Sequence, residues 1–229
     1  MSEIKIKQEH LTRQLDVLPL DALDRKITVI GAGAIGSFTV FALAKMGYSD
    51  ITVIDFDEIE TVNLNAQIYR HSDLGKPKVL ALQEIVRDFC GVNIKIEIGK
   101  YTGQVYKDVV VCAVDNMETR KLCWEAHKSK GVFTNLFVDP RMAIEFAYIQ
   151  CVKPMNPAEG KLYEKTLYTD ENSVQERCTG KATVYTAQLI GATIAKMIKD
   201  FSTSKPYTNR IMWDIANNEV LESSLLKVG

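Results

Sequence analysis

Apolar and polar positions follow two alternating periods along the first 130 residues, and the switches between them mark the elements. Residues 27–30, ITVI, are a short β-branched run suited to a strand buried on both faces of a parallel sheet. GAGAIG follows at once. Ile35, Phe38, Phe41, Ala42 and Met46 then recur at helical spacing until Gly47 supplies a stop. A second buried strand, ITVID, ends at Asp55. Pro77 suits the first turn of a helix that carries Val79, Leu82, Ile85, Val86 and Phe89 on one face and ends at Gly91. NIKIEI alternates like a strand, VVVCAVDN reads as a buried strand with two polar residues at its end, and an amphipathic helix is expected to about Lys130. Strand, glycine-rich turn, helix, strand, helix, strand predicts an α/β fold: a Rossmann-like, mostly parallel, doubly wound sheet. Ligands of such sheets bind at the carboxyl ends of the strands.

The second half changes grammar. VFTNLFV and IEFAYIQCV are strand-like with no long helix between them, so antiparallel strands are expected in the C-terminal half. Residues 154–181 are polar, contain two prolines and show no sustained period. They read as a long crossover loop, with 155–177 as the most mobile internal segment. A helix from about Thr183 to Ile198 and a hairpin around Asn217 and Asn218 close the chain. A single domain is expected: an N-terminal helical arm (1–26), a nucleotide-binding core (27–153), the crossover loop (154–181) and a C-terminal helix and hairpin (182–229).

Composition narrows the partners. The 229 residues carry 28 basic and 29 acidic side chains, a formal charge of -1 with no sequence-wide footprint for nucleic acid or anionic membrane, so neither is expected as a partner. No run approaches the ~18 apolar residues of a membrane span, and the polar amino terminus does not read as a signal peptide. Cys90, Cys112, Cys123, Cys151 and Cys178 are odd in number, well separated and without a Cys-x-x-Cys pair. That argues against a disulfide framework or a four-cysteine zinc site and for a reducing, cytoplasmic compartment.

The chemistry gathers at the predicted strand ends. Gly31, Gly33 and Gly36 form a Gly-x-Gly-x-x-Gly turn that lets backbone amides and a helix amino terminus approach phosphate. Asp55 lies 19 residues beyond Gly36, where an acidic residue bonds ribose hydroxyls. A nicotinamide-dependent oxidoreductase is the default reading of such a fingerprint, but no Tyr-x-x-x-Lys proton donor occurs. Instead Asp57, Asn63 and Gln67 follow, and Lys76 and Lys78 flank Pro77 at a helix start. Cations there oppose the helix dipole, so an anion between them is their natural partner. Asp115 and Asn116 end a strand over the same pocket, and a carboxylate there suits Mg²⁺ on a triphosphate. The bland readings are a helix-capping Asp115 and solvated lysines.

TRQLDVLP, VIGAGAIGS, DFDEIETVNLNAQ, GKPKV, AVDNMETR and CTGKATVYTAQLIGATIAKMI stand in order over nearly the whole chain. In this the sequence resembles the ubiquitin-activating-enzyme-like adenylyltransferases of the ThiF/MoeB/HesA type. DPRMAIEFAYI further resembles the small stand-alone members found on mobile elements. The resemblance implies a homodimer that uses ATP and Mg²⁺ to adenylate the C-terminal carboxylate of a ubiquitin-like or sulfur-carrier protein ending in Gly-Gly, or of a peptide, releasing pyrophosphate. Carried over, Asp55 would hold the ribose, Asn63 and Lys78 the phosphates and Asp115 the Mg²⁺, while Arg13 would reach the γ-phosphate of the other subunit. The cysteine matching Cys178 takes the activated carboxylate in some members and is dispensable in others; Arg177, Lys181 and a nearby helix start favour its thiolate.

One position departs from the pattern. Ala66 stands where the family has a second phosphate-binding arginine. Losing one preorganised donor typically costs roughly 10²–10³ in rate. Arg70, four residues on, reaches the same site if the segment is helical. The sequence leaves three accounts open: a slow but competent enzyme, a degenerate member that binds ATP and docks a ubiquitin-like partner without catalysis, and a variant inactivated for study.

Overall fold

The structure, a computed structural model, describes residues 9–128, 131, 133–168 and 182–223. Eight strands form one sheet: β1 (Ile27–Ile30), β2 (Ile51–Asp55), β3 (Lys95–Ile98), β4 (Asp108–Cys112), β5 (Thr134–Ala143), β6 (Phe146–Val152), β7 (Arg210–Asp214) and β8 (Glu219–Ser223). Their order is β3-β2-β1-β4-β5-β6-β7-β8. The first five are parallel and the last three add antiparallel to β5, so the Rossmann-like sheet with an antiparallel C-terminal half is present as expected. Register positions the site: Ile30 pairs with Ile54 on one side and Cys112 on the other, so β1, β2 and β4 end level. The loops that leave them must therefore meet.

Helices α1 (Ala34–Lys45), α2 (Lys78–Cys90) and α5 (Val184–Ser202) cover one face, where Val29, Val53, Val111 and Val138 are wholly buried. Helices α3 (Met117–His127) and α4 (Pro157–Glu164) cover the other, against Ile30, Ile54, Val110 and Phe137. Burial on both faces explains why the parallel strands read as unbroken apolar runs. Among the described residues no helix is long and apolar enough to cross a membrane.

The described part of the N-terminal arm carries two 3₁₀ turns, Thr12–Gln14 and Leu20–Leu23. Three boundaries differ from expectation. The helix expected to reach Lys130 ends at His127, and α5 runs on to Ser202. Within the expected crossover loop, α4 is ordered: the Asn156 side chain accepts from the Ala158 and Glu159 amides, Pro157 starts the helix, and Tyr163 packs at 4.7 Å on Trp124. Eight residues are too few to show a period, and Asn-Pro, read as loop chemistry, is here a cap. Residues 169–181 lie outside the described part. The closing hairpin forms as expected, with Asn218 left-handed at φ 57°.

At the end of α3, His127 is wholly buried, its Nδ1 bonded to the Cys123 carbonyl at 2.7 Å and its Nε2 accepting the Tyr106 amide at 3.0 Å. Protonation would turn that acceptor into a second donor facing an N–H, and burial holds the imidazole below its ordinary value. Above pH ~6.5 both folded and unfolded chains are neutral here and the full stability is present. As pH falls, the unfolded chain takes the proton first, so stability drops until the folded pKa is passed. Urea unfolding from pH 7.5 to 5.5 should show a stability loss of up to ~1.4 kcal/mol per pH unit from this group, absent in His127→Gln. An unchanged slope in the variant would remove His127 as the cause.

Candidate functional site

The glycine turn is dictated by crowding. Gly31 has φ +99°, and a Cβ there would stand 2.4 Å from the Ala113 carbonyl oxygen, where β4 ends. A Cβ on Gly36 would stand 1.9 Å from the Gly31 carbonyl. Gly33 differs: a Cβ would meet nothing within 4 Å. The protein's own packing thus does not require Gly33, and the open space above it suits the close approach of a ligand. α1 begins there without a side-chain cap, leaving its first-turn amides available to an anion. The loop is held from two sides. The Ala32 amide donates to Asp55 Oδ2 at 2.6 Å and the Asp57 amide to Asp55 Oδ1 at 2.8 Å. From behind, the buried Tyr69 hydroxyl donates to the Ala32 carbonyl at 2.6 Å, its phenol kept neutral by burial and then by the carboxylates of Asp55, Asp73 and Asp57. Sequence reasoning passed over Tyr69, whose only signal was an aromatic in a polar loop.

The segment after β2 is strapped back on itself. The Ile59 amide donates to the Lys76 carbonyl and the Lys78 amide to the Asp57 carbonyl, both at 2.9 Å, which brings Asp57 to the start of α2. There the Lys78 ammonium, with a side chain only 8% exposed, donates to Asp57 Oδ2 at 2.7 Å. An ammonium has three donors, so two remain for a ligand. Lys76 does not join it. It bonds Asp73 at 3.3 Å and Glu84 at 3.0 Å, so the expected pair of anion-holding lysines reduces to Lys78. Asn63 Oδ1 accepts the Glu60 amide at 2.9 Å, closing a 3₁₀ turn and leaving its amide donors available. Gln67 Oε1 is buried with no partner among the described residues, an acceptor suited to a ligand hydroxyl.

Ala66 is 4% exposed and Arg70 does not substitute for the missing arginine. The Arg70 guanidinium bonds Asp73 at 2.9 Å, Glu84 at 3.0 Å and Asp88 at 3.4 Å, turned toward α2. The segment is not helical, so the four-residue spacing carries no face relation; a 3₁₀ turn starts only at His71.

At the end of β4, Asn116 rather than Asp115 caps α3, accepting the Thr119 amide at 2.8 Å. Asp115 is exposed, accepting from the Asn116 side-chain amide at 3.2 Å and, among the described residues, from no helix amide, so the capping reading of Asp115 falls. One carboxylate is what Mg²⁺ on a triphosphate asks of a protein, and the described residues contain no cluster of three or more metal-ligating side chains. Just below, Arg120 donates to the Val114 carbonyl at 2.7 Å and to Asp139 at 2.9 Å. Arg13 lies elsewhere. It is exposed on the first 3₁₀ turn, whose Gln14 amide donates to the Met46 carbonyl at the far end of α1. Twelve helical residues at ~1.5 Å each put the turn about 18 Å from the glycine loop. Cys178 falls outside the described residues.

The glycine turn, the Asp55 and Asp115 carboxylates and the Lys78 ammonium thus stand on adjacent loops at the carboxyl ends of β1, β2 and β4, the edge at which doubly wound sheets take their ligands. Residues 18–224 match the ThiF family, and the chain belongs to that family, the ThiF/MoeB-type adenylyltransferases. It is 29% identical over 171 residues to "Ubiquitin-like modifier-activating enzyme 5" of Dictyostelium discoideum, covering 62% of this chain and 44% of the relative. It is 36% identical over 104 residues to "tRNA threonylcarbamoyladenosine dehydratase" of Haemophilus influenzae, covering 41% and 40%. The chain thus spans less than half the length of these curated relatives. Among solved structures, "Crystal Structure of SeMet PaaA" superposes with TM-score 0.77 at 14% identity over 100% of this chain and 76% of that one. "Crystal structure of E. coli MccB + ATP" does so with TM-score 0.71 at 16% identity over 94% and 71%. At these identities the likeness is one of fold.

Two glycine variants separate ligand contact from packing. Gly33→Ala should unfold at the parental temperature and bind ATP at least tenfold more weakly by calorimetry. Gly36→Ala, which forces backbone apart, should lose roughly 1–3 kcal/mol of stability or more. Unweakened ATP binding by Gly33→Ala would show that the cradle is not where phosphate sits.

Proposed function

We propose that this protein is an ATP-dependent adenylyltransferase acting on the C-terminal carboxylate of a ubiquitin-like or sulfur-carrier protein, or of a peptide, and that it works as a homodimer. The observation that carries the reading is the buried Lys78 ammonium, fixed by Asp57 at 2.7 Å next to the open glycine cradle while two donors stay available. The substrate carboxylate, ionised at pH 7, attacks the α-phosphorus; the bond to the β-phosphate oxygen breaks and pyrophosphate leaves. No proton need be removed, so the protein's work is positioning and charge neutralisation. The α1 amides and Lys78 hold phosphate oxygens, Asn63 adds amide donors, and Asp55 and Gln67 receive ribose or other ligand hydroxyls. Asp115, with Asn116 beside it, would hold Mg²⁺, which supplies Lewis-acid neutralisation of the triphosphate when bound.

The place of Arg13 supports the dimer. Its turn packs at the opposite end of α1 from the cradle, so an Arg13 that serves a γ-phosphate serves the pocket of a second copy. Transfer of the activated carboxylate to Cys178 remains part of the proposal as a separable later step. The second reading, a docking member without catalysis, is favoured by Ala66 and by the diversion of Arg70 to three carboxylates. A nicotinamide oxidoreductase has only the glycine fingerprint behind it.

ATP–pyrophosphate exchange with Mg²⁺, run against Gly-Gly-terminated carriers and short peptides, tests the reading on the chain as given and on Ala66→Arg. Exchange is expected from the given chain and should rise roughly 10²–10³-fold with the arginine restored. Silence from both, with ATP binding and the thermal midpoint intact, would favour the docking reading. In the exchanging background, Arg13→Ala and Lys78→Ala should each be nearly inactive alone, and mixing them should recover about a quarter of the parental rate, because half the dimers then carry one complete pocket. No recovery on mixing would defeat the shared site. Cys178→Ser should leave exchange unchanged if the cysteine acts only after adenylation.

A further inference from the structure

Beside Asp115 the antiparallel strands carry a polar row on the face away from α5. Asp139 of β5 pairs with Gln150 of β6, and Gln150 with Arg210 of β7; two residues along, Arg141 pairs with Tyr148. Asp139 is wholly buried and holds two guanidiniums, Arg120 at 2.9 Å and Arg141 at 2.7 Å, together with the Tyr163 hydroxyl at 3.0 Å. Tyr148, whose ring lies 5.2 Å under the Arg141 guanidinium, feels the Arg210 charge as well. The guanidiniums of Arg120, Arg141 and Arg210 thus lie around Asp139 among the described residues. Asp214, further along β7, is turned to Asn217, and Glu145 in the β5–β6 turn is bonded to the Tyr185 hydroxyl.

Two observations, independent of that charge, point to a missing acceptor. Gln150 is 0% exposed, its Oε1 takes the Tyr148 hydroxyl, and its Nε2 has no partner among the described residues. Arg141 uses four N–H bonds on Asp139 and Thr166, and of the five a guanidinium owns one Nη1–H is left, on a side chain still 19% exposed. A buried donor without an acceptor is costly, and a ligand oxygen removes the cost. The row reaches the adenylation site directly, since Arg120 also grips the carbonyl of Val114, the residue before Asp115.

We propose that the remaining Nη1–H of Arg141, on a guanidinium braced by Asp139 and sharing its strand face with the unpartnered Gln150 amide, is the subsite for a carboxylate side chain in the last residues of the substrate tail. The inference rests on the adenylyltransferase reading and deepens it: the preferred substrate carries Asp or Glu close to the reacting terminus. Arg141 is then a specificity residue, and Asp139 a positioning residue that holds it.

The test uses the full chain and two peptides with identical glycine termini, one with Glu and one with Gln at the second and third positions from the end. Binding is read by fluorescence anisotropy and adenylation by pyrophosphate exchange. The Glu peptide should bind about tenfold more tightly and show a lower KM with kcat little changed. Arg141→Gln should bring the Glu-to-Gln ratio to near one without shifting ATP binding, and Arg141→Lys should keep part of it. If Arg141→Gln unfolds, the Lys variant and the salt dependence of the ratio, which should fall between 50 and 500 mM NaCl, carry the test. A ratio near one in the parental chain, a ratio unmoved by the substitution, or no peptide binding overturns the proposal. Exchange without Glu preference does so while leaving adenylation standing. Glu-selective binding with no exchange from any substrate keeps the subsite and defeats the adenylation reading instead.

Discussion

Where β1 gives way to α1, backbone lies against backbone with no room for side chains, and the geometry of the pocket depends on that contact. Gly31 abuts the Ala113 carbonyl, one residue past β4, and Gly36 abuts Gly31, so the first helix can start only within a few ångströms of the central strands. The level ends of β1, β2 and β4 then deliver Asp55, Asp57 and Asp115 to one rim. Three carboxylates around one opening would repel an anionic ligand. The helix amides and the Lys78 ammonium reverse the sign locally, and Asp55 is already engaged by two backbone amides.

The charges around Ala66 are arranged economically. Arg70, Lys76, Asp73, Glu84 and Asp88 form a set of ion pairs on the outside of α2, extended to Arg87 through Asp88, with Asp73 wholly buried at its centre. Withdrawing Arg70 to serve phosphate would strip that buried carboxylate of its guanidinium and leave it Lys76 at 3.3 Å and the Arg70 amide at 3.0 Å, a cost against one transferred contact. The segment therefore offers Lys78 alone from within the chain, and the gap left at position 66 is not filled from the neighbouring residues.

What was legible in the sequence was local. Buried parallel strands announce themselves as β-branched runs, the glycine turn by its spacing, and α2 by an apolar stripe bounded by Pro77 and Gly91. What was illegible needed partners far along the chain or elements too short to show a period. Lys76 and Lys78 look equivalent beside Pro77, yet one reaches Glu84 and the other Asp57, a choice made by the strap between Asp57 and Lys78. α4 hid in a polar stretch because its cap and proline are also loop chemistry. The Asp139 cluster reaches back 19 positions to Arg120 on α3, and no spacing rule connects those two.

The strand order also sets a timetable. β1 and α1 are made early, but β1 is completed only when β4 arrives about 80 residues later, and the buried face of α1, with Val40 and Leu43, is covered by α5 some 150 residues later. At translation rates of ~5–20 residues per second that face waits roughly 8–30 s for its cover. The same central placement that levels the strand ends around the pocket thus obliges the nascent chain to carry an apolar helix unprotected until α5 has been made. The burden of avoiding aggregation falls on the ribosome-bound stage and not on the finished fold.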